Sequence, residues 1–378
     1  MPKVLLITHL PPNPLRSGGE NRSYQILHDL HAAVGADKVS VFDPRVPKSS
    51  ARRGVRVPWR IQYALRRLRV VLRENPYRVF GETQFSMTKF DHPELLDKYR
   101  AAFDAFQPDL VVTQHSACLW SLPFQRQRGI PTLVCPQNFD SLDDNFAIDR
   151  KRQLQLHLGD LTTEIDALRQ YHARFMISKV EAAFVSGMGS PSFFYPYVPV
   201  GAIRAFYETV RARRQPERGL FVLLGTAAHK PIRDGMRWLL DQIAQVGLPD
   251  GVRVIAAGAG TETLLAEGTL PGVEAVGWLT ESDLNELLTR AHAMLLPKWR
   301  GFGSATRLTE MALAGIPVIA SDYLTHAVDP LPGLIPVAQQ GADWRAAIEQ
   351  LMGEPIQPPL PDFPPSRLEQ WVNGLNRT

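Results

Sequence analysis

PKWRGFGSATRLTEMALAGIPVIAS, residues 297–321, decides the fold of this 378-residue chain, because it joins a loop, a helix and a strand in one run. The glycines and serine at positions 301–304 let a ligand approach the backbone closely. The pattern predicts a helix over residues 306–314, which Gly315 ends. The apolar run at 316–320 predicts a short strand buried in a parallel sheet. Loop, helix and strand in this order are typical of an α/β domain.

The start of the predicted helix is suited to bind an anion. Its unpaired backbone N–H groups carry partial positive charge, and Arg307 adds a full charge beside them. Glu310 lies one turn further along the same face. Together these groups suit a nucleoside diphosphate, with the cation and amides on the phosphates and the carboxylate on the ribose hydroxyls. The alternative is a surface helix with ordinary solvated charges.

The run from Gly303 to Ser321 resembles the donor-binding segment of the large retaining glycosyltransferase family called GT4, whose members have the GT-B fold. The residues in register with the family's Glu-Ala-Met-Ala-x-Gly-x-Pro-Val-Ile-Ala pattern are Glu310, Met311, Ala312, Gly315, Pro317, Val318 and Ile319. The family usually carries a second glutamate eight positions earlier, where this chain has Phe302. The resemblance implies a nucleotide-sugar donor, and Phe302 leaves the donor sugar open. Backbone amides of residues 302–304 are expected to replace the missing sugar contacts.

Two strand–loop–helix openings divide the chain. One begins at Lys3–Thr8 and the other at Leu220–Leu224, and each is typical of a doubly wound α/β domain. With the resemblance, this predicts the GT-B fold, in which two Rossmann-like domains face each other across a cleft. We expect an acceptor-side domain at 1–205, a nucleotide-sugar domain at 206–355, and a Pro-rich tail with a helix returning to the first domain at 356–378.

The apolar periodicity also predicts the individual elements. Helices are expected at Tyr24–Ala33, Pro93–Phe106, Met236–Val246 and Asp283–Ala291, which leaves Gly18 and Gly19 in a loop. Further strands are expected at Val39–Phe42, Leu110–Thr113, Thr132–Cys135, Phe175–Ser178, Ala183–Val185 and Ala293–Leu296.

Parallel strands expose their carboxyl ends to the ligand crevice, which makes His115, Gln137 and Asn138 candidate site residues. The resemblance implies donor contacts for the Gly18–Gly19 loop, for Lys230 and for Trp278 and Leu279, and the start of the predicted helix supplies the rest. The predicted donor-binding residues are Gly18, Gly19, Lys230, Trp278, Leu279, Gly303, Ser304, Ala305, Thr306, Arg307 and Glu310. The predicted acceptor-side residues are Arg16, Asn21, Gln137 and Asn138, and the predicted catalytic residues are His115, Lys230 and Arg307. The alternative for each is an ordinary turn residue or a solvated side chain.

Composition excludes several classes of protein. Cys118 and Cys135 are the only cysteines, which rules out a disulfide framework and fits a reducing compartment. No apolar run reaches the roughly 20 residues that span a bilayer, and the N-terminal run predicts a first strand rather than a signal peptide. A cytoplasmic location is therefore expected. The chain has no Asp-x-Asp motif, so metal-independent chemistry is expected, with no cofactor besides the nucleotide-sugar co-substrate.

Positive charge is concentrated near the N-terminus. Residues 45–78 contain eleven Lys or Arg and one acidic residue, Glu74. Within them, residues 52–73 have the pattern of a basic amphipathic helix, which can lie on an anionic membrane surface. The same pattern fits an anionic polysaccharide partner or a solvated helix that packs on the domain core. No nucleic-acid reader motif accompanies it, so no nucleic acid is expected.

These observations favour a glycosyltransferase. It would move a sugar from a nucleotide-diphosphate donor to an acceptor hydroxyl with retention, in glycolipid, lipopolysaccharide or other cell-surface polysaccharide synthesis. Its acceptor would be lipid-linked or a saccharide, with the enzyme peripheral on the inner face of the membrane. The alternatives are a nucleotide-sugar epimerase of the same fold and a non-catalytic GT-B-shaped binding or scaffold protein.

Overall fold

Two six-stranded parallel sheets, each flanked by helices, build the molecule. The structure is a computed structural model that describes residues 1–45, 93–114, 120–139, 161–162, 164–265, 270–298 and 302–375. Most strands are continuous apolar runs that are buried on both faces, as parallel sheets require.

The first sheet has the strand order β2-β1-β3-β4-β5-β6. Its strands are β1 Val4–Ile7, β2 Val39–Phe42, β3 Leu110–Gln114, β4 Thr132–Cys135, β5 Ala173–Met176 and β6 Phe193–Phe194. Helices within the described residues of this part of the chain include α1 Gly18–Val34, α2 Pro93–Phe106, α3 Leu122–Gln127 and α4 Lys179–Gly187. The strand order reverses between β1 and β3, which makes the carboxyl end of β1 a place where ligands bind in such sheets.

The second sheet has the strand order β12-β11-β10-β7-β8-β9 and reverses between β7 and β10. Its strands are β7 Leu220–Leu224, β8 Arg253–Ala257, β9 Val273–Gly277, β10 Ala293–Leu296, β11 Val318–Ser321 and β12 Leu334–Val337. The helices are α5 Gly201–Arg213, α6 Lys230–Val246, α7 Glu281–Arg290, α8 Thr306–Ala314, α9 Asp322–Thr325, α10 Gly341–Leu351 and α11 Arg367–Leu375.

Two elements cross between the domains. Helix α5 follows the first sheet in sequence, but its Ile203 and Phe206 pack in the core of the second domain. Helix α11 packs against α1, with Leu368 and Val372 fully buried in the core of the first domain. The prediction of two Rossmann-like domains with a C-terminal helix that crosses back is therefore confirmed. None of the helices in the described ranges is long and apolar enough to cross a membrane.

Three local predictions are wrong, all concerning helices. Helix α1 begins at Gly18 because Ser17 caps it: the Ser17 hydroxyl accepts from the Glu20 N–H, and the Glu20 carboxylate accepts from the Ser17 N–H. Gly18 and Gly19 therefore form its first turn rather than a loop. Ala183–Val185 is not a strand but part of α4, whose first turn is capped by Ser178. Helix α6 begins six residues before the predicted Met236, at Lys230.

Candidate functional site between the domains

A cavity of about 1540 Å³ lies between the two domains. Its walls follow the carboxyl ends of the strands at both points where strand order reverses. His9 follows β1, Gly225 follows β7, and Pro297 and Lys298 follow β10. The starts of α1, α6 and α8 face the same space, so the positive ends of three helix dipoles lie at it.

The structure brings nearly all of the predicted site residues together at this cavity. Those that line it are Arg16, Gly18, Gly19, Asn21, Gln137, Asn138, Lys230, Trp278, Leu279, Gly303, Ser304, Ala305, Thr306 and Arg307. Two predicted residues are not among them. His115 lies outside the described residues, as does the basic segment 52–73. Glu310 is described but does not line the cavity.

Arg307 lies in the first turn of α8, and two hydrogen-bond partners hold its guanidinium. Its Nη1 donates to Oε2 of Glu310 at 2.6 Å and to the hydroxyl of Tyr207 at 2.7 Å. The side chain is 24% exposed and lines the cavity. Burial acts to lower the pKa of Arg307, but Glu310, Tyr207 and Tyr197 outweigh it and raise that pKa. Arg307 is thus a permanent, oriented cation on the cavity wall.

Glu310, which is predicted to bind the ribose, is buried behind the cavity wall. Its carboxylate is fully buried and accepts four hydrogen bonds. Oε1 accepts from Asn21 Nδ2 at 3.0 Å and from the Tyr197 hydroxyl at 3.1 Å, and Oε2 accepts from Tyr207 at 3.0 Å and from Arg307. Burial and then the Glu310 charge raise the pKa of both tyrosines well above the ordinary value, so both phenols stay protonated donors. The four donors hold the carboxylate between the two domains.

Lys230 opens helix α6 and brings a second cation to the cavity. Its Nζ donates to Oδ2 of Asp234 at 2.5 Å, one turn further along the helix. Lys230 is 42% exposed and Asp234 28%, and both line the cavity. Because the pair is largely solvated, it contributes little stability and leaves the ammonium accessible to a phosphate.

The two domains approach each other closely at two glycines. Gly303 has φ +79°, and a Cβ there would lie 2.6 Å from the carbonyl oxygen of Gln137 in the first domain. A Cβ on Gly18 would lie 3.0 Å from Oγ1 of Thr306. The Gly303 N–H also donates to Oε1 of Glu181 on α4 at 2.7 Å. This amide, one of those predicted to contact the donor sugar, therefore already has a partner on the first domain.

The cavity has further lining residues that the sequence did not point to, among them Lys298, His9, Asp234 and Tyr207. Lys298 lines the cavity directly after β10, and its Nζ donates to the Phe302 carbonyl at 2.8 Å. His9, which follows β1, and Lys298 could have been found by the same strand-end rule that selected Gln137. Asp234 and Tyr207 carry no such signal, since both lie within helices whose packing decides which side chain faces the cleft.

Comparisons with known proteins agree with this architecture. Residues 218–354, which form most of the second domain, match the sequence model of the family described as "Glycosyl transferases group 1". No curated protein sequence matches the chain. Solved structures that the chain resembles share little sequence with it but cover nearly its whole length.

One is sucrose-phosphate synthase from Thermosynechococcus elongatus, with 17% identity, a TM-score of 0.59, and coverage of 93% of this chain and 90% of that chain. Another is Anabaena HepE in complex with UDP-glucose, with 13% identity, a TM-score of 0.59, and coverage of 99% and 94%. A third is the UDP-GlcNAc 2-epimerase of Methanocaldococcus jannaschii, with 11% identity, a TM-score of 0.53, and coverage of 99% of both chains. The chain therefore has the GT-B fold, and residues 218–354 are a domain of the glycosyl transferases group 1 family.

Proposed function

We propose that this protein transfers a sugar from a nucleoside-diphosphate donor to an acceptor hydroxyl, and that the reaction takes place in the cavity between the domains. The observation that carries the proposal is the meeting of two helix N-termini, each with a cation in its first turn, at one cavity. Arg307 lies in the first turn of α8 and Lys230 opens α6, and both line that space. Free amides and cations so arranged bind a diphosphate and stabilise it as it leaves.

Retention at the anomeric carbon is part of the proposal and rests on the resemblance of residues 303–321 to retaining enzymes. Metal independence is likewise proposed: the two cations and the two helix ends would neutralise the leaving diphosphate. The first domain would supply the acceptor side through Arg16, Asn21, Gln137 and Asn138, and closure around both substrates would keep water from the donor.

The acceptor is proposed to be lipid-linked or a saccharide, in glycolipid, lipopolysaccharide or other cell-surface polysaccharide synthesis. The support is the basic pattern of residues 52–73, which suits attachment to an anionic membrane surface on the cytoplasmic side. Flotation of the protein with vesicles containing anionic lipid, at low and high salt, tests this attachment. Equal binding to neutral vesicles would contradict it.

The donor site is tested by titration with nucleoside diphosphates. UDP is the first choice because the similar HepE structure contains UDP-glucose, followed by GDP, ADP and dTDP. We expect one of them to bind, and we expect Arg307→Ala and Lys230→Ala each to weaken binding about tenfold or more, since each removes a charged contact. The matched control is Arg237→Ala, an exposed arginine of α6 that does not line the cavity.

Failure of all four nucleotides to bind at millimolar concentration would refute the proposal, as would equal losses in the Arg237 control. Product analysis with the matching nucleotide sugar then separates the possible activities. Transfer releases the nucleoside diphosphate, whereas an epimerase leaves an isomerised nucleotide sugar. A non-catalytic binding protein would leave the nucleotide sugar unchanged.

A further inference from the structure

Five positively charged side chains line the cavity, and the head group of one of them is unbonded. They are Arg16, Arg22, Lys230, Lys298 and Arg307. Lys230 and Arg307 donate to carboxylates, and Lys298 and Arg22 donate to backbone carbonyls. The guanidinium of Arg16, by contrast, forms no hydrogen bond or ion pair with any residue in the described ranges. This half-buried cation is therefore available to an anionic ligand in the cavity.

The backbone that carries Arg16 is fixed on both sides. The Arg16 N–H donates to Oδ1 of Asn21 at 3.1 Å, and Ser17, the next residue, caps α1. On the other side Leu15 has a φ of +57°, a conformation that costs a leucine about 1–3 kcal/mol. The Leu15 side chain packs against the apolar cluster of the second domain, which maintains this strained conformation. The loop thus holds the arginine in place without using its guanidinium, as a preorganised binding group requires.

Arg16 adds to a positive charge on the first-domain part of the cavity wall. Lys230 and Arg307, the cations proposed for the diphosphate, both lie on helices of the second domain. The charged residues of the first domain that line the cavity in the described ranges are Arg16, Arg22 and Glu20. The Glu20 carboxylate accepts from the Ser17 N–H and hydroxyl, so it does not neutralise Arg16. The acceptor side of the cavity therefore carries a cation that the donor does not require.

Further positive charge begins close to this loop. The hydrogen bond that Arg45 donates to Asp43 raises the pKa of Arg45, and the Glu20 carboxylate on α1 adds to the rise, which places Arg45 near the start of that helix. Arg45 is also the first of the eleven Lys or Arg residues at positions 45–78. The most basic stretch of the sequence is thus attached at the acceptor side of the cavity, and its charge favours an anionic acceptor.

We propose that Arg16 binds a phosphate group of the acceptor, so that the acceptor is a phosphorylated sugar or a sugar linked to a lipid phosphate. This inference rests on the proposed function and specifies its acceptor. A guanidinium offers five N–H donors in one plane, and two of them can bond a pair of phosphate oxygens in parallel. The phosphate holds the acceptor while one of the acceptor hydroxyls receives the sugar, so the reaction leaves the phosphate unchanged.

Two pairs of probes test this site on the full chain, with the donor cations already occupied. The protein is first saturated with UDP, or with whichever nucleoside diphosphate it binds. Glucose 6-phosphate is then compared with glucose, and farnesyl phosphate with farnesol, by calorimetry. We expect one phosphate compound to bind at least about tenfold more tightly than its partner without phosphate, the effect of a charged hydrogen bond. A preference in the first pair indicates a soluble sugar phosphate as the acceptor, and a preference in the second indicates a lipid phosphate.

Variants of Arg16 connect this preference to the side chain. Arg16→Gln should abolish the preference, and Arg16→Lys should retain part of it, because lysine keeps the charge but not the planar pair of donors. Both variants should bind the nucleoside diphosphate as the wild type does, and both should fold, since the Arg16 side chain has no bond within the described residues to lose. The matched control is Arg126→Gln, an exposed arginine on α3 that does not line the cavity, which should keep the full preference.

Three results would overturn the inference. If Arg16→Gln weakens the nucleoside diphosphate as much as the phosphate probe, Arg16 serves the donor. If the phosphate preference survives in Arg16→Gln, another group binds the phosphate. If the nucleotide-saturated wild type shows no preference in either pair, the acceptor site does not recognise phosphate. A wild-type protein that binds no nucleoside diphosphate refutes the proposed function itself, whereas one that binds the nucleotide and gives any of the three results refutes this inference alone.

Discussion

Replacement of Arg307 by glutamine tests whether the cavity wall depends on a buried ion pair. The wild-type guanidinium lies 2.6 Å from Oε2 of Glu310, which is fully buried. Breaking a buried pair costs about 3–5 kcal/mol of unfolding free energy, because it leaves an uncompensated charge. Asn21, Tyr197 and Tyr207 still donate to the carboxylate in the variant, and Arg307 itself is 24% exposed. We therefore expect Arg307→Gln to lower the unfolding free energy by about 3 kcal/mol, the lower end of this range.

Urea unfolding followed by circular dichroism and tryptophan fluorescence measures this loss. A loss of this size is a large part of the 5–15 kcal/mol that typically stabilises a domain, so the midpoint should fall clearly. In thermal melting, 1 kcal/mol shifts the Tm of a domain of roughly 150–250 residues by about 2–4 °C. We thus expect the second domain to melt earlier by on the order of 10 °C.

The double variant Arg307→Gln/Glu310→Gln gives the decisive comparison. It removes the buried charge together with its partner, so most of the lost stability should return. The exposed Arg237→Gln on α6 serves as the matched control, and its loss should stay below about 0.5 kcal/mol. A loss under 1 kcal/mol in Arg307→Gln, or a double variant no more stable than the single one, would show that the ion pair does not stabilise the wall.

Two further predictions follow from contacts of the first domain. Gly303→Ala introduces a Cβ 2.6 Å from the Gln137 carbonyl oxygen at a φ of +79°. We therefore expect kcat/KM for the donor to fall at least about tenfold in a folded protein. Activity like that of the wild type would show that the domains need not approach so closely. Burial raises the pKa of Cys135 to about 12, so the thiol should resist iodoacetamide at pH 8 in the native state and react in urea. Mass spectrometry checks this, and rapid native modification of Cys135 would mean that β4 is accessible.

The strands were the most predictable part of the fold. Thr132–Cys135, Leu220–Leu224 and Ala293–Leu296 have the predicted bounds, because a strand buried on both faces is a short apolar run between turn residues. Helix starts were predicted less well. Pro231 and Gly235 suggested a loop before α6, yet proline is tolerated in the first helical turn. A Cβ at position 235 would lie 2.5 Å from the Pro297 carbonyl oxygen, so close packing explains why a glycine stands within this helix.

Much of the cavity wall was predictable from strand ends, from the start of the 306–314 helix and from the resemblance, but the burial of Glu310 was not. Arg307 and Glu310 are three residues apart, a spacing that fits two charges on one solvated face. Helix α8 has no such face beyond its first turn, because residues 308–314 are all buried between α5 and the rest of the second domain. The tyrosines that complete the cluster come from a segment about 100 residues earlier. Sequence spacing within one helix carries no information about such partners.

Sequence spacing likewise does not reveal the contacts of Phe302, which stands where the GT4 pattern has a glutamate. Its ring packs edge-on against Phe139 of the first domain, with centroids 6.2 Å apart, and its carbonyl accepts from Lys298. The next amide, of Gly303, donates to Glu181 of the first domain. Phe302 and Gly303 thus both contribute to contact between the domains. Because the loop at 302–303 is held by the first domain, we expect the donor sugar to be contacted by both domains, and its affinity to depend on their closure.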